Sequence, residues 1–274
     1  MKILIAADME GVSGVVHWDQ VDPEHAEYVR FRRVMTGDVN AAIQGAFEAG
    51  ASEVIVSDGH AYGRNLLIEE LDPRVRLNSG SPAPLAMIQG IEEDVNGVMF
   101  VGYHARAGTP NAILDHTWSS RSVANLWLGD ILVGESGLNA AFCGYFNVPV
   151  IMVSGDQTVC SEAIELLGPL EVAVVKRASG RMAADCLPPT LAQREIHAAA
   201  VRAVKRLASG EAPAPFVLPV PVKVTVEFYQ SEMADNASLL PGIQRTAGRR
   251  IEFMAENIHI AYNGFRAAVS LARG

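Results

Sequence analysis

Over the first two-thirds of the chain, short apolar runs alternate with stretches of helical periodicity. Ile3-Leu4-Ile5-Ala6-Ala7 is apolar at every position and predicts a buried strand. Residues 53–57, 97–102, 131–133, 148–153 and 170–175 read the same way. Between them, residues 39–49 (closed by Gly50), 84–91, 138–145 and 158–167 carry helical patterns. Strands that are apolar on both faces and separated by helices predict an α/β fold. Its central sheet is mostly parallel, with helices on both faces.

The pattern changes further along. Pro188-Pro189-Thr190 opens a long helix over 191–208 with Thr190 as its cap, and residues 209–215 form a turn-rich break. Residues 222–228 alternate with period two, as a half-exposed strand does. Residues 258–272 predict a last helix. The expected organisation is an α/β catalytic domain over 1–210 and a C-terminal extension or small lobe over 211–274, the latter a separate unit or the edge of a single domain. No repeat of fixed period is present.

Composition adds limits to this picture. The 274 residues suffice for one large domain or a domain with a small companion. Apolar residues make up 49% and charged residues 19%, a globular balance. The net charge is -9, and Arg30, Arg32 and Arg33 with Arg249-Arg250 are the densest basic clusters. Nucleic acid is therefore not an expected partner. Five apolar residues at the start are too few for a signal-peptide core, and no run approaches a membrane span. Cys143, Cys160 and Cys186 are odd in number and show no CxxC spacing, so they read as buried thiols of a cytoplasmic protein.

The candidate chemistry lies where the predicted strands end. Asp8 and Glu10 follow the first strand in Asp8-Met9-Glu10-Gly11; two positions apart on an extended chain, they point to the same side. The second strand ends in Ser57-Asp58-Gly59-His60, the third in Gly102-Tyr103-His104, and the short strand at 131 in Gly134-Glu135-Ser136-Gly137. In an open parallel sheet, ligands bind beyond the carboxyl ends of the strands. Four strand ends thus each deliver an acid or a histidine to what should be one edge. Carboxylate oxygen mixed with imidazole nitrogen suits zinc or a similar ion, and three carboxylates with two histidines suffice for two ions if one carboxylate bridges.

Taken singly, each of these residues has an ordinary reading as a turn former, helix cap or hydrogen-bonded loop histidine. The metal reading rests on their joint placement. His116, beside Asp115 and after a Gly/Pro/Asn-rich loop, could be a general acid or base near a pocket, or a simple surface histidine. His17, His25, His197 and His259 read as structural or solvated. The spacing Gly134-Glu135-Ser136-Gly137 is not a nucleophile elbow. No GxxxxGK[ST], no GxGxxG after the first strand and no HExxH occur. A serine hydrolase or nucleotide enzyme is disfavoured.

Six motifs in order resemble the zinc D-aminopeptidases of the DppA type: Asp8-Met9-Glu10-Gly11, Ser57-Asp58-Gly59-His60, Val101-Gly102-Tyr103-His104, Asp115-His116-Thr117, Gly134-Glu135 and Val153-Ser154-Gly155-Asp156. The last 60 or so residues add little to the resemblance. It implies two zinc ions held by Asp8, Glu10, His60, His104 and Glu135, with Asp8 bridging, and His116 as the catalytic residue outside the metal shell. It also implies a homodecamer enclosing a chamber, and short peptides with an N-terminal D-residue, such as D-Ala-D-Ala, as substrates. Gln157 stands where some members carry a second Asp, and Thr117-Trp118 follows His116 where some relatives have small residues; both differences bear on specificity. Other readings of the same site are another metal-dependent amidase or deacylase, or a non-catalytic peptide-binding or metal-storing assembly. A metal phosphoesterase is weakened by the few cations near the motifs, Arg64, Arg106 and Arg121.

Overall fold

The computed structural model describes residues 1–273. In its first half the chain forms β1 (Lys2–Ala7), α1 (Ala26–Glu48), β2 (Glu53–Asp58), β3 (Arg76–Asn78), β4 (Gly97–Val101), β5 (Val123–Leu128), β6 (Ile131–Val133) and α2 (Glu135–Tyr145). There follow β7 (Val150–Asp156), α3 (Gln157–Leu167), β8 (Glu171–Gly180), β9 (Ala183–Cys186), α4 (Pro189–Ser209), β10 (Val222–Phe228), α5 (Ser231–Ala237), β11 (Gln244–Ala247), β12 (Arg250–Ala255) and α6 (Ile258–Ala272).

The strands sort into two sheets. The larger has the order β3-β2-β1-β4-β7-β8-β9, parallel throughout except for its last strand, β9. The expected α/β architecture is therefore present. From β1 the chain proceeds first to β2 on one side and later to β4 on the other. The order thus reverses beside β1, and such a switch point opens a crevice at the carboxyl ends of the flanking strands. The smaller sheet is antiparallel, with the order β11-β12-β10-β5-β6.

Period-two alternation explains how the layers stack. Ile3, Ile5 and Ala7 of β1, with Met99 and Val101 of β4, face a core shared with Met35, Val39, Ile43 and Ala46 of α1 and Ile196, Ala200 and Val204 of α4. Leu4, Ala6, Val98 and Phe100 point the other way, into a core shared with α2, α3, α6 and the inner face of the smaller sheet. Each large aliphatic side chain so buried contributes about 1.5–3 kcal/mol. Strands covered on both faces must be apolar at every position, and this is the pattern the sequence displays.

Residues 211–273 supply β10, β11 and β12, which pair with one another, and the smaller sheet is completed by β5 and β6 from the first half of the chain. The segment 84–91, expected to be a helix, holds a single 3₁₀ turn at Ala86–Ile88. The Gln89 side chain there accepts the Leu85 N–H, and Gly90 turns the chain at φ +98°. α1 starts at Ala26 rather than 39, its first turn capped by the His25 ring, which accepts the Glu27 N–H. α4 starts at Pro189, so Thr190 lies inside its first turn rather than at the cap. α2 starts at Glu135 rather than 138, which bears on the site. Among the described residues no helix is long and apolar enough to cross a membrane.

Candidate metal centre

Asp8 and Glu10 sit on the loop leaving β1. That loop is bonded to the one leaving β4: the Asp8 N–H donates to the Val101 carbonyl at 2.8 Å and the Gly11 N–H to the Gly102 carbonyl at 2.7 Å. A Cβ on Gly11 would lie 1.9 Å from the Tyr103 carbonyl oxygen, and one on Gly102, at φ +77°, would lie 2.2 Å from the Asp8 carbonyl oxygen. Glycine at both positions lets the loops touch backbone to backbone, bringing the carboxylates of one within reach of His104 on the other.

His60 follows β2 on a loop organised by Asp58. That buried carboxylate accepts from the Asn65 N–H and side-chain amide, both at 2.6 Å, and from the Leu66 N–H at 2.8 Å. The Asn65 amide also donates to the His60 carbonyl at 2.6 Å.

Glu135 does not come from the parallel sheet's edge, where four strand ends were expected. It opens α2 after β6, a strand of the smaller sheet. His116 lies between β4 and β5, in a segment where Leu114 and Trp118 occupy the left-handed region at φ +49° and +61°. Residues with side chains are uncommon there, at a cost of about 1–3 kcal/mol each. The Leu114 carbonyl accepts from His116 Nδ1 at 2.9 Å, and the Trp118 N–H donates to Glu135 Oε2 at 2.8 Å.

All six side chains converge. His60 Nδ1 is 3.4 Å from Asp8 Oδ1 and 3.1 Å from Glu10 Oε2. His104 Nε2 is 3.4 Å from Asp8 Oδ2 and 3.6 Å from Glu135 Oε2, and His116 Nε2 is 4.0 Å from Glu10 Oε1. The His104 and His116 rings stack with centroids 3.8 Å apart. One ligand atom each from Asp8, Glu10 and His104 lies within 4.8 Å of the other two, and the same holds for His104, His116 and Glu135. His60 falls outside both triplets while touching two carboxylates of the first. His116, read as lying outside the metal shell, belongs to the second triplet.

Each imidazole is anchored through one nitrogen. His60 Nε2 donates to the Val21 carbonyl at 2.8 Å, His104 Nδ1 to the Ala105 carbonyl at 3.0 Å, and His116 Nδ1 to the Leu114 carbonyl, because a carbonyl can only accept. The other nitrogen of each ring is thereby left to face the carboxylates. Asp8 Oδ2, Glu10 Oε2 and His104 Nε2 are buried without a hydrogen-bond partner. Buried polar atoms are rarely orphaned, and three at one point call for a missing cation.

The electrostatics point the same way. Burial, then repulsion from Glu10, raises the Asp8 carboxyl to about 7. Burial would also raise Glu10 and Glu135, but His60 holds the first well below the usual carboxylate value and His104 holds the second down. Burial would lower His60 and His104; Glu10 keeps the first well above its ordinary value, and Glu135 and Asp8 keep the second up at about 10. Burial, with His104 beside it, takes His116 down to about 4. Mixed O and N donors, with the ring tautomers already fixed by main-chain carbonyls, fit zinc.

A profile of the D-aminopeptidase family matches residues 1–267. The chain belongs to the D-aminopeptidase family. It is 36% identical to a D-aminopeptidase of Bacillus subtilis (strain 168) over 273 residues, which are 99% of this chain and 98% of the relative. Its fold superposes on the solved structure of the Zn-dependent D-aminopeptidase DppA from Bacillus subtilis, described as a self-compartmentalizing protease. The TM-score is 0.95 at 35% identity, covering 100% of this chain and 98% of that one. The family relationship thus spans the C-terminal residues, which carried little of the resemblance in the sequence motifs.

Sequence reasoning passed over several residues that shape the site. Lys176 ends the apolar run of β8 and is fully buried. Asp156 caps α3 and also accepts the Ile113 N–H at 2.7 Å, steadying the chain ahead of His116. Arg181 clamps Asp115 through Nε at 2.7 Å. The legible signals among them were Lys176, directly after the apolar run 172–175, and Asp156, at the end of the motif 153–156.

Proposed function

We propose that this protein is a zinc-dependent aminopeptidase acting on short peptides with an N-terminal D-residue. In this reading Asp8, Glu10, His60, His104 and Glu135 would hold two zinc ions. The observation that carries it is the set of three anchored imidazoles presenting their second nitrogens to three buried carboxylates, with orphaned atoms on Asp8, Glu10 and His104. Zinc bound there supplies Lewis acidity that polarises a carbonyl and acidifies water.

The chain's own groups do the rest. Burial, with His104 beside it, keeps the His116 ring neutral, and with Nδ1–H committed to the Leu114 carbonyl its Nε2 is unprotonated. It can accept a proton at that atom and return it to the departing amine. A carboxylate of the Asp8–Glu10 pair facing the free α-amine of a peptide would hold its N-terminus and restrict cleavage to the first residue. We further propose a cytoplasmic homodecamer enclosing a chamber. The three free cysteines and the self-compartmentalizing relative support that part of the reading.

The test is metal content with turnover: protein purified without a metal-affinity tag, zinc counted per chain, and D-Ala-D-Ala and L-Ala-L-Ala assayed with and without chelator. About two zinc ions per chain and chelator-sensitive cleavage of the D-peptide alone are expected. Zinc without cleavage of either peptide moves the reading to an amidase or deacylase on this scaffold. No zinc, and none regained on addition, refutes the ligand set.

A further inference from the structure

The three carboxylates of the site are not held alike. Asp8 Oδ1 accepts the Met9 N–H at 2.9 Å and Glu135 Oε2 accepts the Trp118 N–H at 2.8 Å. Among the described residues no main-chain N–H reaches the carboxylate of Glu10. Its aim toward His60 and His116 therefore depends on how its own backbone is fixed, and that backbone lies in the loop 8–16, which has no regular structure.

Lys176 enters this loop from below. It ends the buried part of β8, is 1% exposed, and comes from the far side of the sheet, two strands beyond β4. Its ammonium carries three N–H donors and meets three main-chain acceptors: the Glu10 carbonyl at 2.6 Å, the Val12 carbonyl at 2.9 Å and the Val15 carbonyl at 2.8 Å. Among the described residues no carboxylate forms an ion pair with it; Asp156, Asp38 and Glu10 are the nearby acids. Asp38 holds the same loop from α1, its carboxylate accepting the Ser13 N–H at 2.9 Å and the Ser13 hydroxyl. A buried charge committed to three carbonyls of one short loop is costly unless the loop must be held in one shape.

We propose that Lys176 is a positioning residue of the metal centre, whose ammonium gathers the carbonyls of Glu10, Val12 and Val15 and so sets the direction of the Glu10 carboxylate. This rests on the metal reading of the site. Outer-shell groups that orient a ligand typically carry a 10–100-fold effect on metal affinity or activity. Lys176 acts on the ligand's backbone rather than on its side chain.

The experiment compares wild type, K176M and V175A. Methionine matches the lysine stem without the ammonium. Val175 is the neighbouring buried residue of β8, and V175A supplies a loss of packing beside the loop without removing the ammonium. Zinc affinity is measured by competition with a chromogenic chelator, with thermal unfolding alongside and kcat and KM for D-Ala-D-Ala at saturating zinc. K176M is expected to bind zinc 10–100-fold more weakly and to lose kcat more than KM rises, while V175A lowers the melting temperature with wild-type zinc affinity. Should K176M fail to fold, K176Q, which keeps two N–H donors, carries the same comparison and is expected to fall between wild type and that loss. Wild-type zinc affinity and kcat in the folded variant overturn the inference. A wild-type protein that binds no zinc overturns the metal reading, and this inference with it.

Discussion

Gly11→Ala tests the geometry of the site most directly. The added Cβ would stand 1.9 Å from the Tyr103 carbonyl oxygen and 2.5 Å from the Gly102 carbonyl carbon, both backbone atoms that no rotamer change can move. Contacts under 3.4 Å are already tight, so the two loops must part by about 1.5 Å. One of those loops carries Asp8 and Glu10 and the other His104, so His104 Nε2 and Asp8 Oδ2, now 3.4 Å apart, separate with them. A misplacement of about 1 Å can cost about 10²-fold in rate, equivalent to about 2.7 kcal/mol of barrier. Overpacking of this kind also lowers stability by about 1–3 kcal/mol. G11A should therefore fold, melt several degrees lower and lose about 100-fold or more in kcat/KM on D-Ala-D-Ala, with weakened zinc binding. Gly50→Ala is the control: at φ +98° with nothing within 4 Å, it strains the backbone far from the site, and it should lower stability while leaving kcat/KM unchanged. G11A with kcat/KM within twofold of wild type would refute the view that contact between these two loops sets the ligand geometry.

Two further predictions concern single groups. His116→Asn should lower kcat by about 10²–10⁴-fold while zinc per chain stays at the wild-type value; loss of zinc instead would make His116 a ligand, as its closeness to His104 and Glu135 permits. Burial raises the Asp38 carboxyl to about 6 from 3.8 against the opposing hydrogen bonds of Ser13, so its favourable contribution is complete below pH 3.8 and lost as pH rises through about 6, a span of about 3 kcal/mol. Asparagine does not titrate, so the stability of wild type relative to D38N, from denaturant melts of the zinc-loaded proteins, should fall across that window; a constant difference would show that burial does not raise the Asp38 carboxyl above its unfolded value.

The parallel sheet and four of the six site residues were legible because one physical rule produces both. A strand covered on two faces is apolar throughout, so Asp8, Glu10, His60 and His104, arriving just after such runs, stand out. The rest was hidden for different reasons. β5, Val123–Leu128, carries Asn125 among its apolar positions, and that side chain bonds Glu227 on the neighbouring β10, a pairing about 100 residues away in sequence. The first half of α1 buries Tyr28, Phe31 and Met35, but Arg30, Arg32, Arg33 and Gly37 interleave with that stripe and obscure it; they face solvent, Asn65, Glu70 and the side chain of Gln193. Glu135 was recognised as a site residue but assigned to the wrong sheet, since β5 was not read as a strand and the Gly129-Asp130 hairpin that pairs β6 with it therefore went unseen.

That misplacement matters for how the site is assembled. Asp8, Glu10, His60 and His104 belong to the parallel sheet, whereas Glu135 begins α2 on the side of the smaller sheet, so the site exists only if the two halves keep their register. A chain of fully buried groups maintains it. The Asn139 amide of α2 donates to the Tyr103 hydroxyl at 3.0 Å, next to His104, and accepts from the Tyr262 hydroxyl of α6 at 2.9 Å. Trp118, whose N–H holds Glu135, packs edge-on against Tyr262 and Phe265 of the same helix. Buried hydrogen bonds in low dielectric tolerate little displacement before a polar group is left unpaired, at a cost of about 1–3 kcal/mol. The last helix therefore bears on the position of Glu135 without contributing a ligand. Through these contacts the last helix, with no chemical motif of its own, is tied to the segments that carry His104 and Glu135.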